Sequence, residues 1–240
     1  MLYLIGLGLS KEGISYFGLE TVKRCKKIYI ENYTVYFPYD LKEIEELIGK
    51  KVQLADREFV ESLKIVDEAK KQDVALLIYG SPLTATTHIT LVNEAKQMGI
   101  KCRVLYNASI IDAIAETGLQ LYKFGKIASM PKWDEKKHFT PDSFLDVVKE
   151  NQSINAHTLL LIDIGLNFDD AMEQLKAAIK KQNVKVEKIV VCQSLGSGSA
   201  RIFYTHIDQS KSIPRILKPY CIIIPSKLHF VEKQSLEMYA

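Results

Sequence analysis

An apolar run, Val74-Ala75-Leu76-Leu77-Ile78-Tyr79, stops abruptly at Gly80-Ser81-Pro82-Leu83, and a threonine-rich stretch, Thr84-Ala85-Thr86-Thr87-His88, follows it. In an open α/β sheet, small ligands bind just beyond the carboxyl ends of strands, where loops leave backbone groups free. Glycine lets a ligand approach the backbone closely, proline stiffens the turn, and Thr84, Thr86 and Thr87 offer hydroxyls at an expected helix start. Taken alone, Gly-Ser-Pro is turn punctuation and the threonines are caps. Three further strand ends share this character: Gly6-Leu7-Gly8-Leu9 after the first apolar run, Asn107-Ala108-Ser109-Ile110 after the fifth, and Pro225-Ser226-Lys227-Leu228-His229 after the last. Four such loops together predict one shared ligand cleft.

Other chemistries find no pattern. Gly6-Leu7-Gly8 falls short of G-x-G-x-x-G, because position 11 is Lys and Gly13 comes two residues late. Glu31 ends the second apolar run, where a ribose-binding acid would stand, yet a tight strand-to-helix turn explains the glycines equally well. No phosphate-binding Gly-Lys-Ser/Thr loop occurs, and Gly196-Ser197-Gly198 lacks the frame of a nucleophile elbow. The five histidines show no H-E-x-x-H spacing, no carboxylate pair stands out, and no metal site is expected. An enzyme that aligns a reactive cofactor with its acceptor needs none of these, since proximity and desolvation supply much of the rate.

Short apolar runs alternating with helix-period segments position these loops, as in a largely parallel sheet. Strands are expected near 2–7, 27–31, 51–54, 73–79 and 101–106, with helices near 15–26, 40–48, 58–71 and 84–98. Asp40-x-x-Glu43 predicts a capping box with Gly49 as the stop, and Ser109-Ile110-Ile111-Asp112 predicts another, opening a helix that ends near Gly118. Beyond about residue 112 the texture changes. Thr140-Pro141 predicts a capped helix start, and Asn167 caps a helix over 168–182. Strands are expected at His157–Asp163, Lys188–Ser194, Ala200–Thr205 and Tyr220–Ile224, before a short last helix. Ser194–Ser199 reads as a hairpin, so this half carries a mixed sheet. The expected architecture is two α/β domains, 1–112 and 113–240, with a cofactor cleft between them.

Composition narrows the function classes. The 240 residues are 47% hydrophobic and 25% charged, with a net charge of +3, too small to argue for nucleic acid or a membrane surface. The basic run Lys23-Arg24-Cys25-Lys26-Lys27 closes an expected helix, where it opposes the helix dipole. No apolar run reaches the ~18 residues of a membrane span, and the N-terminus has no signal-peptide layout. Cys25, Cys102, Cys192 and Cys221 are scattered without a C-x-x-C, as core residues in a reducing cytoplasm.

The order of the motifs resembles the diphthine synthase family along nearly the whole chain. The segments that carry the resemblance are Met1–Leu9, Gly80-x-Pro82-Leu83-x-Ala85-Thr86-Thr87-His88, Ala108-Ser109-Ile110 and Thr117–Gly125 with its Tyr122-Lys123-Phe124-Gly125. His157-Thr158-Leu159 with Ile162-Asp163-Ile164, and Lys227-Leu228-His229, complete the series. The resemblance implies a tetrapyrrole methylase-like fold, a homodimer and S-adenosylmethionine in the cleft. It implies methylation of the amino group of a 3-amino-3-carboxypropyl histidine on translation elongation factor 2, giving diphthine. By motif, the cofactor contacts would be Leu9, Ser81, Thr84, Ser109, Ile110, Ile162, Leu195 and His229. The chemistry would be in-line attack of the neutral amine on the sulfonium methyl, with no particular side chain assigned as base.

Three positions depart from the family pattern. Ser81 stands where the family usually has an acid or Asn, Gly165-Leu166-Asn167 replaces a longer basic stretch, and Gln193–Gly198 replaces a more typical Ala-Arg-Ala-Gly-Ser. A methyltransferase for a tetrapyrrole or other small substrate, a cofactor-binding protein with reduced catalysis, and a dinucleotide reductase remain alternative readings of the sequence.

Overall fold

Alternate residues of one strand can bury on opposite faces of a sheet only if both faces are covered, and helical crossovers cover them. The computed structural model describes all 240 residues and divides into two compact units. The first comprises Met1–Ala113 with Gly196–Gly198, and the second Ile114–Leu195 with Ser199–Ala240.

The first unit runs β1 (Leu2–Gly6), α1 (Tyr16–Arg24), β2 (Lys27–Glu31), α2 (Leu41–Ile48), β3 (Gln53–Ala55), α3 (Arg57–Glu61), α4 (Lys64–Ala69), β4 (Val74–Ile78), α5 (Ile89–Gln97), β5 (Cys102–Leu105) and α6 (Ile110–Ala113). Its five strands are all parallel, in the order β3-β2-β4-β1-β5. Val74, Leu76 and Ile78 pack with Val66 and Leu91 on one face, while Ala75 and Leu77 pack with Val22 and Ile44 on the other. The chain leaves β1 toward β2 on one side and leaves β4 toward β5 on the other. The carboxyl ends of β1 and β4 therefore form the topological switch point, where open α/β sheets bind ligands.

The second unit runs β6 (Ala128–Met130), α7 (Phe144–Ser153), β7 (Thr158–Ile162), α8 (Phe168–Gln182), β8 (Lys188–Gln193), β9 (Arg201–His206), β10 (Tyr220–Ile224) and α9 (Phe230–Glu237). Its sheet, β6-β7-β10-β8-β9, is parallel only at β6–β7 and antiparallel elsewhere, with the expected β8–β9 hairpin. Leu145 and Val148 of α7 and Ala171 and Leu175 of α8 pack with Leu160, Val191 and Ile222. No helix is long and apolar enough to cross a membrane.

Four expected elements differ. The helix over 58–71 breaks into α3 and α4 because Leu63 takes a left-handed conformation, φ 61°. The helix over 84–98 begins only at Ile89; residues 82–88 form turns in which Ala85 is left-handed, φ 54°. The helix opened by Ser109 lasts one turn as α6 and tightens to a 3-10 turn over Ile114–Thr117 before Gly118 at φ 81°. Thr140-Pro141 opens no helix; α7 starts at Phe144, behind Ser143. The predicted caps at Asp40 and Asn167 are in place, each accepting from a first-turn backbone N–H.

Candidate active site

The switch point is built on paired glycines. Gly8 N–H donates to the Gly80 carbonyl at 3.2 Å and Gly80 N–H donates back to Gly8 at 2.9 Å, joining the loops after β1 and β4. Gly8 at φ 70° and Gly80 at φ 73° lie where a side chain would strain the backbone. A Cβ on Gly6 would sit 2.6 Å from the Gly80 carbonyl oxygen and 3.0 Å from Pro82 Cδ. One half-buried amide fixes the third loop: Asn107 Nδ2 donates to the carbonyls of Gly6 (2.9 Å) and Gly13 (2.8 Å), while its Oδ1 accepts from Ala108 N–H (2.8 Å). Gly13, two residues late for a dinucleotide fingerprint, thus folds the β1 loop back onto its strand.

The turn after β4 is tied from below. Pro82 O accepts from Thr86 Oγ1 at 2.7 Å and from His88 Nδ1 at 3.1 Å, which requires the proton on Nδ1. His88 Nε2 lies 3.3 Å from the Tyr33 hydroxyl, and the ring is buried. The expectation that Thr86 caps a helix therefore gives way: its hydroxyl holds the turn instead. Glu31, the suggested ribose acid, is fully buried and bonded to the hydroxyl and N–H of Thr34 (N···O 3.2 Å for the latter). Burial raises its pKa, and the Thr34 bonds and the charge of nearby His88 only partly oppose that. It supports the loop after β2 rather than presenting a free carboxylate.

Five of the motif-derived residues lie on these loops of the first unit. Leu9, Ser81 and Ser109 are buried, and Thr84 and Ile110 are half-buried. Gly196, also part of this unit, packs against Leu9 so closely that a Cβ would come within 2.7 Å of it. Ser109 N–H and hydroxyl both bind Asp112 Oδ2, at 2.7 and 2.8 Å, and these bonds hold the Asp112 carboxyl below its usual range. Tyr79 donates to the Leu9 carbonyl at 3.2 Å and packs edge-on against Phe37, with Tyr39 alongside.

The other three, Ile162, Leu195 and His229, belong to the second unit, at the ends of β7 and β8 and at the N-cap of α9. His229 is exposed, but the chain around it is not loose. Glu232, fully buried, accepts from His229 N–H (2.7 Å), Gln120 N–H (3.1 Å), His157 Nε2 (3.2 Å) and the Lys123 ammonium. Burial alone would raise the Glu232 pKa; the donors, Lys123 first, outweigh it and hold it at about 2. His157 Nδ1 accepts from Ser226 N–H at 2.9 Å, so this buried ring is neutral with its proton on Nε2. Burial lowers its pKa against the raising effect of Glu232, in keeping with that state. Sequence reasoning noticed His157 and Lys123 only inside motifs and missed Glu232; its one sequence signal is the capping-box spacing from His229.

The chain matches the tetrapyrrole (corrin/porphyrin) methylases over residues 1–209 and belongs to that family. It is a methyltransferase, and its relatives include proteins named diphthine synthase and diphthine methyl ester synthase. It is 38% identical over 253 residues to the diphthine synthase of Methanocaldococcus jannaschii, covering 99% of this chain and 98% of that one. It is 49% identical over 167 residues to the diphthine methyl ester synthase of Schizosaccharomyces pombe, covering 68% of this chain but 58% of that protein. A crystal structure of a diphthine synthase superposes with a TM-score of 0.91 at 32% identity, covering all of this chain and 95% of the other.

Proposed function

We propose that the protein uses S-adenosylmethionine to methylate the 3-amino-3-carboxypropyl histidine of translation elongation factor 2, acting in the cytoplasm as a homodimer. The observation that carries this reading is the Gly8–Gly80 bridge at the switch point of a methylase-family chain. The names of the relatives favour a modified protein histidine over a tetrapyrrole ring.

The residues present fit the donor. A Cβ on Gly80 would meet nothing nearer than 3.8 Å, so the backbone there is open to the close approach of a bulky nucleoside, whereas Gly6 and Gly8 are bare so that the loops can pack against one another. When bound, the donor supplies an electrophilic methyl group on a positively charged sulfur. Leu9, Ser81, Thr84, Ser109 and Ile110 of the first unit, and Ile162, Leu195 and His229 of the second, are the residues we assign to hold it. Ser109 gives its hydroxyl proton to Asp112, so its oxygen remains an acceptor. Leu9 and Ile110 bring apolar surface that excludes water from the reacting groups.

The test is purified protein with isotopically labelled donor and the unmethylated carboxypropyl-histidine form of the factor, read by mass spectrometry of the target histidine. Methylated histidine is expected, and none would overturn the reading. A methyl ester, as the S. pombe relative is named for, requires a carboxylate oxygen as acceptor. Mild alkali removes an ester and leaves methylated nitrogen intact, so the same digest shows which atom accepts.

A further inference from the structure

We propose that Glu232, His157 and Lys123 act together as positioning residues that hold the Ser226–His229 loop in the shape that receives the methyl donor. The inference rests on the donor contact assigned above to His229. Within four residues, three main-chain groups are held by this one cluster. His157 Nδ1 takes Ser226 N–H at 2.9 Å, Lys123 Nζ donates to the Lys227 carbonyl at 2.9 Å, and Glu232 takes His229 N–H at 2.7 Å. The three side chains are also joined to each other through the Glu232 carboxylate, so no one of these bonds can shift alone.

A capping box at a solvated helix start needs only Glu232 and His229. Here the carboxylate is fully buried and draws donors from three separate segments, Gln120–Lys123, His157 and the loop itself. A buried charge is a poor source of stability, because desolvation cancels much of its attraction. It is a good way to fix direction, because every donor must point at the same two oxygens. The outcome is a loop whose backbone is fixed while the His229 side chain stays exposed. Such preorganisation matters for a contact that must align a donor with its acceptor.

The test compares the full-length wild type with Glu232→Gln, His157→Leu, His157→Gln and Lys123→Met. Gln at 232 places an amide donor against donors, and Leu at 157 removes both ring bonds, whereas Gln at 157 keeps one donor and one acceptor. Lys123→Met gives a milder change at a side chain 22% exposed, should a buried substitution prevent folding. Two quantities are read: amide hydrogen exchange over residues 226–232, and the KM and calorimetric affinity for S-adenosylmethionine. We expect faster exchange at Ser226 and His229 and a rise in donor KM of about tenfold, the equivalent of one charged hydrogen bond, with kcat changed far less. His157→Gln is expected to recover most of both. Unchanged exchange in Glu232→Gln and Lys123→Met would overturn the proposal, and so would faster exchange with wild-type donor affinity. A wild type that binds no donor would overturn the functional reading itself, and this one with it, before any variant is compared.

Discussion

The side-chain amide of Asn107 donates to the carbonyl oxygen of Gly6 at 2.9 Å, and a Cβ added to Gly6 would lie 2.9 Å from the Asn107 Cβ. The end of β1 is thus closed on both sides, by Asn107 and by the Gly80 carbonyl. Four expectations follow from this contact and from others in the two units.

Gly6→Ala forces backbone to move, since its nearest contact, the Gly80 carbonyl oxygen at 2.6 Å, is not a flexible side chain. Overpacking of this kind costs about 1–3 kcal/mol. The thermal midpoint and the affinity for S-adenosylmethionine should both fall. A variant with wild-type values of both would show that the β1 and β4 loops do not depend on their close approach.

Asn107→Asp keeps the shape but leaves the carbonyls of Gly6 and Gly13 facing an acceptor. We expect it to lose about 1 kcal/mol of unfolding free energy, the penalty of unsatisfied polar groups at a half-buried site, and to be no more stable than Asn107→Ala. Urea titration at neutral pH measures both. If Asp proves the milder change, the amide donors are not what holds the loop.

Ser81→Asp places a carboxylate at a buried turn residue. A carboxylate beside a cationic donor gains a charged interaction, so donor affinity by calorimetry should tighten or stay unchanged. A large loss would mean that the donor does not approach this turn.

Glu232 and Glu31 should respond to pH with opposite signs. Glu232 has a folded-state pKa of about 2, below the unfolded value of about 4.3. Its contribution is full above the unfolded value and is lost as pH falls toward 2, so the deficit of Glu232→Gln is largest at neutral pH. Burial raises the Glu31 pKa, so stability from its neutral form is present at low pH and lost as pH rises through the folded value. Glu31→Gln should therefore gain on the wild type as pH rises. Urea midpoints across acid to neutral pH decide it; parallel trends for the two variants would contradict the assignment.

Strand periodicity and turn residues made the two α/β halves legible, because an apolar run such as Val74–Ile78 between turn signals has few other uses. The four loops were legible for the same reason. Elements governed by single backbone torsions were not: nothing in the type of Leu63 or Ala85 announces a left-handed residue, and each ended or delayed a helix. β6, three residues long, carries too little pattern to read. The site's supports were hidden for a different reason. Asn107 and Glu232 act on carbonyls and amides far away in the chain, and His88 joins the nearby Pro82 carbonyl to the distant Tyr33 hydroxyl; spacing along the sequence cannot express such partners.

The strand order β3-β2-β4-β1-β5 also sets a timetable. Leu2 has no sheet partner until Val74 and Cys102 exist, so the first strand made is among the last to be enclosed. Until then its apolar residues wait uncovered, and loop closure over that span must precede the reward of pairing. The β8–β9 hairpin needs only Gln193 to meet Arg201 and can zip locally. Refolding of the first unit should be the slower process, and the glycine bridge that defines its ligand site can close only when β1 and β4 have met.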